Sequence, residues 1–173
     1  MLLSVMTKLD GRYLKSRERA DLKAYIGTIR NRRTAYDEIR RKALPVAEGV
    51  IAEQRKRYPD FAKIRPQGFE KGTRDIHSLT NIAANMMLQE ATEFYDSMFT
   101  EWYRTILKAV HMSPQFLQDT FKSWQVQLEV NLTADTHALL RPYVQHLTDF
   151  LLNVPVPVKD ETGRRLAQIP ASV

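Results

Sequence analysis

RPQGFEKGTRDIHSLTNIAANMMLQEATEF, residues 65–94, is the stretch whose reading decides the fold. It opens on a Pro/Gly turn crowded with basic residues. Beyond the turn, Ile76, Leu79, Ile82, Ala83, Met86, Met87 and Ala91 recur at the spacing of one helix face. Ala83 and Ala84 at its middle leave room for a second backbone or a flat ligand. Arg65, Lys71 and Arg74 supply charge-assisted hydrogen bonds, and a guanidinium pairs with carboxylates in bidentate fashion. A basic turn leading into such a helix suits a slot for a flat, acidic ligand. Ordinary surface pairing of these cations with Asp60, Glu70 or Asp75 competes with that interpretation.

Outward from this stretch, the chain holds only six glycines, and its β-branched residues are scattered instead of alternating, which argues for an all-α fold. Residues 2–14 are expected to form a short helix interrupted at Gly11. Ser16 is the expected N-cap of a long helix to about Arg41, in which Leu22, Tyr25, Ile26, Ile29, Tyr36 and Ile39 face inward. Arg30, Arg33, Arg40 and Arg41 then point outward. A new helix is expected from Pro45 until Tyr58-Pro59-Asp60 ends it. After a loop to Gly72, Thr73 or Ser78 is expected to cap the helix of the opening stretch, which runs to about Phe99 with a break near Asp96. Further helices are expected over residues 99–112, from Ser113-Pro114, and from Thr133 or Asp135, the last kinked or restarted at Pro142. Six or more helices with short connections suggest a globin-like packing.

The 173 residues suit one domain, taken as 1–152, followed by an extended tail over 153–173 that carries VPVPV and KDETGRR. There is no cysteine, which excludes disulfides, thiolate metal sites and thioether-linked cofactors. Residues 1–74 hold 19 of the 26 Lys/Arg against 9 acids, a charge of +10 that suggests an acidic partner, with solvated helix faces as the equal alternative. No run of about twenty apolar residues exists, and MLLSVM is too short for a signal segment, so a cytoplasmic protein with no membrane span is expected.

Several features resemble the allophycocyanin-type phycobiliproteins. They are a Gly-x-Tyr-Leu start at Gly11, the run Leu22-Lys23-Ala24-Tyr25, then Arg32, Ala35 and Ile39. Further on come Arg65-Pro66-x-Gly68, Thr73-Arg74, Leu88-x-x-Ala91-Thr92, Pro114 and Pro142-Tyr143. The resemblance covers roughly residues 10–152. It implies a globin-like fold with extra N-terminal helices, pairing into a homodimer through the first helices, and a linear tetrapyrrole beside the helix of the opening stretch. The attachment cysteine of that family would fall at or near Thr80, and the aspartate that meets the pyrrole nitrogens at or near Ala83. With neither present, the chain is most similar to the cysteine-free bilin biosynthesis-associated globins. A bilin could then be held only non-covalently, with Arg74, Lys71 and Arg65 at its propionates and His77 and Met87 lining the slot.

Other chemistries are less well served. His77 or His111 could ligate haem iron, although His111 comes late in its helix for a proximal ligand. Met86, Met87, Met98, Tyr95, Trp102 and Trp124 could wall a flat cavity or simply be core. No glycine-rich phosphate loop, metal-ligand cluster or nucleophile with a base partner appears, so no enzyme is expected. Arg30, Arg32, Arg33, Arg40, Arg41 and Lys42 could track phosphates, but exposed aromatics are not interleaved with them, which disfavours nucleic acid and favours a protein partner. The expected role is a bilin carrier or a partner of bilin-synthesis enzymes. The alternatives are a ligand-free interaction module or a haem sensor.

Overall fold

The computed structural model of the protein describes residues 13–110 and 112–152, and among them every regular element is helical. The expected helix over 2–14, the tail over 153–173 and His111 lie outside the described residues, apart from Tyr13 and Leu14.

Helix α1 (Ser16–Arg57) is 42 residues long, about 63 Å at 1.5 Å per residue. It begins one residue earlier than expected, because Glu18 reaches back to accept the Lys15 backbone N–H at 2.7 Å and makes Lys15 the capping residue. Nor does it break at Pro45. Ala43, Val46 and Ala47 are fully buried on one stripe, so packing holds the helix together through Pro45. Pro45 itself is exposed, where the missing donor costs least. Its partner is α3 (Gly68–Gln89), which runs antiparallel: Ile51 lies near Gly72, and the Tyr25 hydroxyl donates to the Leu88 carbonyl at 3.0 Å. Between them sits α2 (Phe61–Ile64), a single turn where a loop was expected. Helix α3 starts five residues before Thr73, which sits inside it with its hydroxyl on the Phe69 carbonyl.

Helix α3 ends at Gln89, well before Phe99, because Glu90 takes a left-handed conformation (φ 47°) that terminates the helix. The strain is tolerated because buried Arg32 forms an ion pair with the Glu90 carboxylate. A short turn α4 (Glu93–Tyr95) leads through a π-helical stretch, Asp96–Thr100, into α5 (Glu101–Ala109). The Thr100 hydroxyl donates to the carbonyl of Tyr95, five residues back, and Asp96 is held by His146 with both oxygens at 2.9 Å.

Helix α6 (Pro114–Asn131) is capped as expected: the Ser113 hydroxyl accepts the Phe116 N–H at 3.1 Å. Helix α7 (Ala134–Leu152) continues unbroken past exposed Pro142, with Leu140 and Val144 buried on either side of it. The start of α7 is tied to α1 by Glu38, which accepts from the Thr133 N–H at 2.7 Å and from the hydroxyls of Thr133 and Thr136. Helix α6 lies antiparallel to α1, from Tyr58 against Asp119 to Glu53 against Gln127. The core is built from the inner faces of α1, α3, α6 and α7 around Trp124, Leu128, Leu140 and Leu147. No described helix is long and apolar enough to cross a membrane.

Candidate functional site

A cavity of about 670 Å³ opens between the end of α1, the α2–α3 connection, the first half of α3, α5 and the start of α6. That volume falls within the range of about 300–1,000 Å³ usual for small-molecule pockets. Its walls follow from local sequence. Phe61 stacks on Phe116 at 4.7 Å between ring centroids and tilts against Phe69 at 5.1 Å, while Tyr58 closes on Phe116 at 5.0 Å. Gly68 is needed beneath this cluster, because a Cβ there would stand 2.4 Å from the Phe61 ring. Leu79, Leu107, Leu117 and Phe121 complete an apolar interior, each largely buried.

Three charged residues border it: Arg65, Lys71 and Asp75. Arg65, half-buried, donates from Nη2 to the Val110 carbonyl at 2.7 Å, which satisfies a carbonyl left over where α5 ends. Lys71 is exposed at the rim. Asp75, half-buried, accepts a hydrogen bond from the Tyr103 hydroxyl. Burial pushes the Asp75 carboxyl above its ordinary value, against the pull of the Tyr103 hydrogen bond and of the Arg74 and Lys71 charges. Burial likewise raises the Tyr103 phenol, helped by the neighbouring Asp75 charge, so it stays a donor at any physiological pH.

The expected site residues separate into two groups. Arg65 and Lys71 are brought together at the cavity, whereas Arg74 is exposed and outside its lining. His77 is half-buried outside the lining and paired with Asn81, whose amide lies 3.2 Å from its Nε2 and also donates to its carbonyl. Thr80, Ala83 and Met87 are buried beyond Leu79, the last residue of α3 in the lining, and outside the cavity. The Thr80 hydroxyl is fully spent: it donates to the Ile76 carbonyl at 2.8 Å and accepts the Trp124 Nε1–H at 2.9 Å. The slot expected beside Ala83 is therefore filled by the protein's own side chains. Of the two readings of the Met/aromatic residues, core holds for Met86, Met87, Tyr95 and Trp124, while Met98 and Trp102 are exposed.

Searches against family models and against curated proteins return no match. The site is thus read from its own chemistry.

Arg30, Arg33, Arg40 and Arg41 all lie exposed along α1, available to a partner. Arg32 in the same basic run does the opposite: its guanidinium donates to the Tyr25 carbonyl at 2.8 Å and lies 4.2 Å from the Tyr25 ring centroid. Among the described residues no group of three or more His, Cys, Asp or Glu is placed to hold a metal ion. Sequence reasoning missed Asp75 as a cavity residue and Tyr103, Leu107 and Phe61 altogether as lining. A weak signal existed in Ile76 and Leu79, whose face had to be covered by something.

Proposed function

We propose that this chain is a non-enzymatic carrier or sensor of an acidic, amphipathic small molecule, held without a covalent bond in the cavity between α3, α5 and α6. The observation that carries this is the coincidence of an apolar interior of about 670 Å³ with two cations, Arg65 and Lys71, at its edge. Such a site buries a hydrophobic body and leaves a carboxylate at the rim, where charge-assisted hydrogen bonds are available. The resemblance to phycobiliproteins supports a globin-like, cytoplasmic, dimeric module in bilin biosynthesis, with a bilin as the ligand and the exposed arginines of α1 facing a partner enzyme. The absence of cysteine in the chain restricts any such bilin to non-covalent binding.

An absorbance titration with biliverdin and, separately, with hemin tests the proposal. Saturable biliverdin binding that weakens in Arg65→Ala and Lys71→Ala but not in Arg74→Ala would support the cavity as the site and a bilin as its ligand. Pigment binding insensitive to Arg65 and Lys71 would move the site elsewhere, and a Soret shift with hemin alone would replace the carrier by a haem protein.

A further inference from the structure

We infer that the occupant of the cavity is a long-chain aliphatic monocarboxylate, an acid with one charged head and an unadorned hydrocarbon body. This rests on the carrier proposal above but replaces the bilin that the resemblance suggests with a ligand class read from the lining. Two features of the lining decide the class.

The first is the state of its hydrogen-bonding groups. The Tyr103 hydroxyl is donated to Asp75, the Thr120 hydroxyl to the Phe116 carbonyl at 2.7 Å, and Arg65 Nη2 to the Val110 carbonyl. What remains towards the interior is hydrocarbon and aromatic ring: Phe61, Leu79, Leu107, Phe116 and Leu117. A ligand with several ring N–H and carbonyl groups would bury them unpaired there, and each such loss is costly. A bare alkyl chain loses nothing.

The second feature is charge. The lining carries two cations against one anion, Arg65 and Lys71 against Asp75. One ligand carboxylate completes neutrality, and a second would meet the Asp75 carboxylate across a partly buried, low-dielectric wall. Stacked Phe61 and Phe116 form part of the wall, an apolar surface against which a flexible alkyl chain can pack.

Calorimetric titration of the full chain with saturated acids from decanoate to stearate, with their methyl esters and with biliverdin, tests the assignment. The affinity of the acids is expected to rise roughly fourfold per added methylene until the cavity is full, and then to level off. The methyl esters should bind at least about tenfold more weakly, since they lose the charge-assisted pairing. Leu117→Trp, which fills the interior, should abolish binding. Lys71→Glu, at an exposed position that leaves folding intact, should weaken the acids several-fold and leave the esters unchanged. Esters that bind as tightly as acids, or affinity independent of chain length, would overturn the inference. Biliverdin binding through Arg65 and Lys71 with no acid bound would overturn it while the carrier proposal stands. No binding of either ligand would remove both.

Discussion

The two halves of α3 do opposite things. From Thr80 to Met87 the helix is packed solid against Trp124, Leu128 and Leu147, all essentially inaccessible to solvent. From Gly68 to Leu79 the same helix borders a hollow. The small residues Ala83 and Ala84 mark the solid half, because space beside a small side chain is taken by whatever large one lies opposite, here within the Trp124 cluster. The hollow half is instead surrounded by large, stiff aromatic rings that brace one another and hold the walls apart. Small residues at helical spacing therefore signal close approach. A cavity needs large residues that prop.

Substitutions can break or sharpen this contrast, and the largest effect is expected in the solid half. Trp124→Ala removes a fully buried indole together with its hydrogen bond to the Thr80 hydroxyl, and should cost about 3–5 kcal/mol in urea unfolding. Leu117→Ala, on the hollow side, should cost about 2 kcal/mol, at the low end for such changes, because its side chain already lacks neighbours towards the cavity. Equal losses in the two variants would end the distinction.

Next in size is the clamp at the far end of the solid half. Arg32→Met leaves Glu90 in a left-handed turn without its buried partner and should cost about 3 kcal/mol. Adding Glu90→Gln should return part of that loss in the same unfolding assay, which identifies the pair and not the arginine stem as the cause. A smaller effect, about 1–2 kcal/mol, is expected for Glu38→Ala, which strips the start of α7 of three hydrogen bonds. Burial acts to raise the Glu38 carboxyl, but hydrogen bonds from Thr136 and Thr133 and the Arg41 charge hold it below 4.5. Its contribution is thus present above that value and lost as pH falls through the lower folded value.

The smallest change belongs to the hollow half and has the opposite sign. The Asp75 carboxyl is raised above 3.8 by burial, so the folded protein holds this proton more tightly than the unfolded chain does. The stability it allows is fully present below 3.8 and declines as pH rises through the higher folded value. Asp75→Asn should remove that decline and melt at or slightly above the wild-type temperature at pH 7. A lower melting temperature at pH 7 would mean that the ionised carboxylate is held by its Tyr103 hydrogen bond and the flanking cations more strongly than burial disfavours it.

Much of the helical skeleton was legible beforehand. The Ser113-Pro114 start, the Tyr58-Pro59 stop and the inward stripe of α3 each depend on groups within four residues of one another, and each is found where expected. Pro45 misled because a proline's local cost is overridden when buried neighbours on both sides hold the helix together, and the helix likewise continues through Pro142 without a restart. Arg32 misled as a member of the phosphate-tracking basic run: its neighbours in that run are exposed, whereas it is buried, bonded to the Tyr25 carbonyl and the Thr28 hydroxyl and paired with Glu90, 58 residues later. At the site, Arg65 and Lys71 could be named from composition and spacing alone. Tyr103, Leu107 and Phe61 could not.

The sequence by itself determined that the chain is helical, that it holds no cysteine to carry a thioether-linked group, and that its basic residues crowd its first half. Those follow from short-range periodicity and from which atoms are present. Tertiary structure alone decided that α3 is solid at Ala83 and hollow at Ile76, because that depends on the summed volumes of side chains brought from α1, α5 and α6. Helical periodicity says which face of α3 turns inward. It carries no information on whether the residues arriving opposite are numerous and large enough to fill the space.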